Sequence, residues 1–150
     1  MANSITIKKT INRFNKKIFV NGDKSLSIRW VLISSLATGV SEAKNLLLSE
    51  DVLAAIKMIR KLGIKVITKN NSCKIYGKGV DGYRYLNNLR LNAENSGTLG
   101  RLILGLLINS QKTIKLTGDK SLSQRDFKRV TEPLSKFGAK FKLNNNKHLP

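Results

Sequence analysis

Three short stretches carry side chains suited to an anionic ligand. Gly22-Asp23-Lys24-Ser25-Leu26-Ser27-Ile28-Arg29 and Gly118-Asp119-Lys120-Ser121-Leu122-Ser123-Gln124-Arg125 differ only at Ile28 and Gln124. Each precedes an apolar periodic segment and is predicted to open a helix. A helix start offers free N–H groups and the positive end of the peptide dipoles, which suit phosphate or carboxylate. Lys24, Ser25 and Arg29 add a point charge, a hydroxyl and a forked donor. Arg29 follows Ser25 by one helical turn, so the two share a face. A single such loop reads better as a capped surface helix with solvated Lys and Arg than as a binding site. The pair, taken with a third stretch, favours binding. That third stretch is Asn95-Ser96-Gly97-Thr98-Leu99-Gly100-Arg101. Gly97 lets a ligand reach the backbone with no Cβ in the way, while Asn95 and Thr98 can cap or bind. Neither the Walker A pattern nor the GxGxxG pattern of dinucleotide sites is present.

The elements that must position these residues follow from periodicity. Ile5–Lys8 and Lys17–Val20 read as short strands, followed by a turn at Asn21-Gly22-Asp23. From Lys24 to about Ala37 the segment is apolar on every side, which predicts a buried helix, ended by Thr38-Gly39. Glu42–Leu48 reads as extended. Ser49, with Glu50 and Asp51 behind it, is predicted to cap an amphipathic helix. Val52, Ala55, Ile56, Ile59 and Leu62 give that helix its apolar face, and Gly63 ends it. Ile64–Thr68 and Cys73–Tyr76 form a predicted hairpin. The pattern then recurs: a strand at Leu89–Leu91, an apolar helix over Leu99–Ile108 and a strand at Thr113–Leu116. An amphipathic helix through Phe127, Val130, Leu134 and Phe137 follows, kinked by Pro133, and then a strand at Ala139–Leu143. Lys61-Leu62-Gly63-Ile64-Lys65-Val66 matches Lys136-Phe137-Gly138-Ala139-Lys140-Phe141, an internal repeat. The twin Gly-Asp-Lys-Ser loops are not equivalent places in that repeat. The second copy stops short of its closing strand, so the sequence is expected to be a fragment of a longer protein.

Composition narrows the partners. Lys and Arg number 28 against 9 Asp and Glu, a net charge of +19. Charge alone leaves open a polyanion partner and an anionic small-molecule site. The basic residues are dispersed rather than gathered in a run. Cys73 and His148 are each the sole residue of their type, which excludes an internal disulfide, a Cys-rich metal site and a His-based triad within the 150 residues. The single cysteine fits a reducing cytoplasm. The start has no signal-peptide pattern, and the apolar run Leu102–Ile108 is far short of the roughly 20 residues a membrane span needs.

Taken in order, the three stretches resemble three successive signatures of the EPSP synthase family, with Ser49-Glu50-Asp51-Val52 and Lys61-Leu62-Gly63 matching the segment between them. The resemblance covers essentially the whole sequence. It implies an α/β fold, a partial inside-out α/β barrel built from βαβαββ units. Residues 1–20 would belong to the other lobe of the intact enzyme. Residues 21–150 would form part of the N-terminal lobe, with unit one at about 21–80 and an incomplete unit two at about 89–150. The implied reaction transfers the enolpyruvyl group of phosphoenolpyruvate to the 5-hydroxyl of shikimate 3-phosphate, through a tetrahedral intermediate and without a cofactor or metal. By the resemblance, Lys24 is the catalytic candidate and touches both substrates. Ser25 and Arg29 bind shikimate 3-phosphate, Gly97 and Arg125 bind phosphoenolpyruvate, and Asn95, Thr98 and Arg101 shape that loop.

The match has departures. Asn21 and Asp126 stand where the family has Pro, Ile28 where it has a polar residue and Trp30 where it has a small one. Trp30 should demand local repacking, and Asp126 should weaken the grip of Arg125 on phosphate. The family's general-base aspartate and its Ser-Ser-Gln element fall outside these residues, so the 150-residue chain alone is expected to be inactive, marginally stable or self-associating. The intact enzyme is expected to be a cytoplasmic monomer without nucleic-acid or membrane partners. Two readings compete. The sister enzyme acting on UDP-N-acetylglucosamine shares fold and donor but has Lys-Asn at Lys24-Ser25. A basic nucleic-acid-binding α/β protein would want aromatics on an exposed sheet face, for which Tyr83 and Tyr85 are the candidates.

Overall fold

The computed structural model describes residues 4–6, 8–9 and 13–150. Its elements are α1 (Lys24–Leu36), β1 (Thr38–Ala43), α2 (Glu50–Lys61), β2 (Lys65–Lys69), β3 (Ser72–Lys78), β4 (Leu89–Asn92), α3 (Gly97–Leu106), β5 (Ile114–Thr117), α4 (Lys120–Ser123) and α5 (Lys128–Ser135). The strands form an antiparallel sheet in the order β1-β3-β2 and a parallel pair, β4-β5. The parallel pair is joined through α3, the crossover that parallel strands require.

Local chemistry explains most of these elements. In the β2–β3 hairpin, Asn70 takes a left-handed conformation (φ 51°), which asparagine tolerates well. Register sets Val66 opposite Ile75 and Thr68 opposite Cys73, so Val66, Ile75 and Cys73 face inward and are buried. Helix α2 buries Val52, Ala55, Ile56, Ile59 and Leu62 against that sheet face and α1, as periodicity requires. Gly63 ends it at φ 85°. Ser49 occupies the N-cap of α2, but its hydroxyl makes no cap bond and is buried without a partner among the described residues.

Helix α1 is not the apolar-all-round helix that its composition suggests. Leu26 and Ile33 are 68% and 65% exposed, whereas Ser27, Ser34 and Ser35 are buried. Two of these serines are buried because each has a polar partner: Ser27 Oγ accepts from Leu47 N–H (3.2 Å), and Ser35 Oγ lies 2.6 Å from Tyr83 Oη. Small side chains here let the helix lie close on β3. A Cβ at Gly77 would collide with the carbonyls of Ala37 and Ser34. Trp30 fits half-buried at the core edge, and Ile28, at a position that is polar in the resembling family, is fully buried.

Other expectations shift. Residues 17–20 are not a strand, and neither are Ile5, Thr6 or Lys8; Ile7 lies outside the described residues. Phe19 and Val20 are 87% and 73% exposed, so nothing here completes a sheet with them. The strand after α1 begins at Thr38 rather than Glu42, and Gly39 (φ 96°) lies inside it rather than at a helix end. The second amphipathic helix is two pieces, α4 and α5, because Gln124-Arg125-Asp126 breaks the run. Phe127 is fully buried, whereas Phe137 is 79% exposed. Ala139–Leu143 forms no strand; only an isolated Asn144–His148 bridge follows. Beside α3 and β5 lies an open groove of ≈ 890 Å³, with Leu104, Leu107, Ile114, Phe141 and Leu143 in its walls. α3 and β5 are therefore left partly uncovered on that side.

Candidate active site

The first cluster is built at the start of α1. Asp23 Oδ1 accepts from Leu26 N–H at 2.6 Å, capping the helix. Lys24 is the first helical residue, and its ammonium meets Asp51 Oδ2 at 3.0 Å. Asp51 comes within reach because residues 45–47 pack on the Gly22 loop. Asn45 Nδ2 donates to Val20 O, Leu47 N–H donates to Ser27 Oγ, and a Cβ at Gly22 would meet the Asn45 carbonyl and lie 2.9 Å from Leu47 N. Arg29 Nη1 donates to Ser25 O at 3.0 Å, one turn back. The guanidinium is thus held over the first turn of α1, next to half-buried Ser25. Lys24, Ser25 and Arg29 share one helix start, as their spacing predicts.

The second cluster joins α3 to α4. Ser96 Oγ caps α3 by accepting from Leu99 N–H (3.3 Å), and Gly97 follows, buried. Two guanidiniums converge on it: a Cβ at Gly97 would lie 2.8 Å from Arg125 Nη1 and 2.9 Å from Arg101 Nη1. The glycine therefore makes room for the arginines themselves. Arg101 is fixed by bonds to Gly97 O (3.3 Å) and Asp126 O (3.0 Å), and it lies over the ring of Phe127 with its charge centre 5.0 Å from the centroid. Its Nε is buried and has no partner among the described residues. Arg125 Nη2 donates to Asn95 Oδ1 at 3.3 Å and to Ser121 Oγ at 3.4 Å. Asn95 Nδ2 in turn donates to Asp119 Oδ2 at 2.7 Å. Thr98 is half-buried in the first turn of α3 and makes no side-chain hydrogen bond among the described residues.

Two expectations change. The second Gly-Asp-Lys-Ser loop opens a helix of only four residues, too short for its dipole to match that of a full helix. What it contributes to anion binding is the Arg125 side chain. The carboxylate of Asp126 does not oppose Arg125: its Oδ1 accepts from Lys128 N–H at 2.7 Å, at the start of α5. Sequence reasoning missed three participants: Asp51, Ser121 and the second oxygen of Asp119. Asp51 was legible only as a first-turn acid of α2. Among the described residues no hydrogen bond or ion pair joins the two clusters, although α1 and α3 are in contact. No group of three or more His, Cys, Asp or Glu among the described residues is placed to hold a metal. Chemically, the arrangement offers one ammonium and three guanidiniums beside helix starts, with hydroxyl and amide groups between them. That set suits a multiply anionic ligand.

Comparison with known proteins places the chain among its relatives. A family model described as EPSP synthase (3-phosphoshikimate 1-carboxyvinyltransferase) matches residues 8–150. The 3-phosphoshikimate 1-carboxyvinyltransferase of Sulfurihydrogenibium sp. is 44% identical over 135 residues, covering 90% of this chain and 31% of that protein. The protein of the same name from Desulforamulus reducens is 40% identical over 140 residues, covering 93% of this chain and 32% of the relative. The solved structure of EPSP synthase from Acinetobacter baumannii superposes with a TM-score of 0.83 at 34% identity, over 90% of this chain and 31% of that one. The fold is thus a partial EPSP-synthase-like α/β fold, and the chain spans about a third of the length of the relatives it matches.

Proposed function

The chain belongs to the EPSP synthase family, and from that premise we propose that the full protein transfers the enolpyruvyl group of phosphoenolpyruvate to the 5-hydroxyl of shikimate 3-phosphate and releases phosphate. The reading rests most on one observation: two guanidiniums, Arg101 and Arg125, converge at a helix-start glycine, a set matched to a phosphate and to the charge it carries through the reaction. Arg125 binds the phosphate of phosphoenolpyruvate, and Gly97 keeps the space between the arginines free of a side chain. Asn95, Thr98 and Arg101 shape that pocket. Ser25 and Arg29 bind shikimate 3-phosphate. Lys24 reaches both substrates and steadies the charge that develops in the tetrahedral intermediate, formed as the hydroxyl oxygen gives up its proton and bonds to the enol carbon while the methylene carbon gains a proton; phosphate then leaves as the methyl group of the adduct gives up a proton and the double bond re-forms. No cofactor or metal takes part.

Residues 1–20 belong to the other lobe, and residues 21–150 form one unit and part of a second. The exposure of Phe14, Ile18 and Phe19, without strand partners here, supports that division. The full protein acts as a monomer in the cytoplasm, apart from membranes and nucleic acid. No helix among the described residues is long and apolar enough to cross a membrane. Tyr83 and Tyr85 give no stacking platform, because both are half-buried and their hydroxyls are tied to Ser35 and Ser110.

The test is phosphate release from the two substrates by the full-length protein carrying this sequence, alongside Lys24→Met. Turnover that needs both substrates and is lost in the variant is expected. A near-normal rate in Lys24→Met would remove Lys24 from the mechanism. No phosphate release by the parent protein would remove the proposed reaction. The 150-residue chain by itself is expected to release none.

A further inference from the structure

The twin loops use the same aspartate differently. Asp23 and Asp119 each cap a helix through Oδ1, accepting from Leu26 N–H and Leu122 N–H. Beyond its cap, Asp23 makes no further side-chain hydrogen bond among the described residues. Asp119 uses its other oxygen, Oδ2, to accept from Asn95 Nδ2 at 2.7 Å, and Asn95 Oδ1 accepts from Arg125 Nη2 at 3.3 Å. The loop carrying Asp119 is pinned by its backbone as well, with Asp119 N–H donating to Glu94 O at 2.8 Å. The order of these bonds is dictated by chemistry. A carboxylate only accepts and a guanidinium only donates. An amide lying between them satisfies both in one orientation alone, with its NH2 toward Asp119 and its oxygen toward Arg125.

We propose that Asp119 is a positioning residue for Arg125, acting through the Asn95 amide. The carboxylate polarises the amide and fixes its orientation, and the amide oxygen then holds one edge of the guanidinium. The other nitrogen, Nη1, stays beside Gly97, where the ligand phosphate is placed in the function proposed above. Asp119 itself touches no ligand. The inference rests on that reading only for its consequence in binding; the relay is a property of this chain alone.

The geometry makes a swap experiment decisive. Asp119→Asn keeps an N-cap oxygen for Leu122, since asparagine caps about as well as aspartate, but it sets an NH2 against the NH2 of Asn95. The amide of Asn95 must then rotate and turn a donor toward Arg125. Asn95→Asp sets two carboxylates against each other. The double variant Asp119→Asn/Asn95→Asp reverses the polarity and rebuilds both links: the amide now at position 119 donates to the carboxylate now at position 95, and that carboxylate accepts from Arg125. Inorganic phosphate binding to the full-length protein carrying this sequence and its variants is read by NMR at the Gly97 amide, and the Arg125 Nε resonance is followed in the same samples. Each single variant is expected to weaken phosphate binding about tenfold, the loss of one hydrogen bond to a charged group, and to move the Arg125 Nε resonance. The double variant is expected to return the Arg125 Nε resonance toward the parent and to bind phosphate more tightly than Asn95→Asp, though less tightly than the parent, because a carboxylate now faces Arg125. Equal losses in the single variants and the double, or an unmoved Arg125 Nε resonance in Asp119→Asn, would overturn the relay. If the full-length parent protein binds no phosphate, the proposed function loses its support, while the Nε resonance across the four proteins still decides the relay.

Discussion

Gly97→Ala separates the packing of the second cluster from its binding role. The added methyl would start 2.8 Å from Arg125 Nη1 and 2.9 Å from Arg101 Nη1. Ordinary carbon–nitrogen contact lies near 3.5 Å, so each guanidinium must retreat by about 0.6–0.7 Å. Arg125 can give way, because its two side-chain bonds, to Asn95 and Ser121, are already long at 3.3 and 3.4 Å. Arg101 is held more firmly, by two carbonyls and the Phe127 ring. Side-chain strain of about 0.5–1.5 kcal/mol is the expected cost. Alanine is a better helix former than glycine by up to about 1 kcal/mol, although less at a first helical position such as this one. The two effects nearly cancel, so urea unfolding should place the variant within about 1 kcal/mol of the parent. Binding should not be spared. A displaced guanidinium forfeits a charge-assisted bond of about 1.5–3 kcal/mol, so phosphate affinity should fall roughly tenfold to a hundredfold. Titration calorimetry or Gly97-region NMR shifts would report this. Unchanged phosphate affinity in a normally folded variant would refute the placement of the ligand between Arg101 and Arg125.

Phe127→Ala removes a fully buried ring from beneath Arg101 and α3 and should cost about 3–5 kcal/mol in urea unfolding; a loss below about 1 kcal/mol would show that α3, α4 and α5 are not packed as described. Asp51→Asn breaks an ion pair whose lysine side is 55% exposed, so stability should change by about 1 kcal/mol or less, and a much larger loss measured by denaturant would contradict that exposure. Alkaline pH should destabilise the fold. Burial raises the Cys73 thiol above its ordinary 9.0, against a smaller opposing effect of Arg60, and burial raises the Tyr83 hydroxyl above its ordinary 10.0 despite its bond to Ser35. The unfolded chain therefore loses these protons first. Their stabilising contribution is full below about pH 9 and disappears as pH rises through the folded-state values. Cys73→Ala should shallow the slope of stability against pH beginning near pH 9, and an unchanged slope would exclude the thiol as its source.

Much of this protein was legible without coordinates. The periodicity of Val52, Ala55, Ile56, Ile59 and Leu62 specified α2, because a single apolar stripe has one way to be buried. The turn at Asn70 and the alternation around it specified the hairpin. The loops at Gly22, Asn95 and Gly118 suggested the anion-directed chemistry proposed above, since residue types and helix starts are local properties. Tertiary structure decided the rest. It buried Ser27, Ser34 and Ser35 and left Leu26 and Ile33 exposed: Ser34 lies where α1 closes on Gly77, and Ser27 and Ser35 meet polar partners at Leu47 N–H and Tyr83 Oη. It broke the last amphipathic run at Gln124-Arg125-Asp126, freeing Arg125 to face Gly97. It turned the carboxylate of Asp126 toward α5 and away from Arg125. The pairings Lys24–Asp51 and Asp119–Asn95–Arg125 join residues 24–30 positions apart along the chain. No periodicity encodes such contacts; they exist only once loops and helix starts from different elements have been packed together.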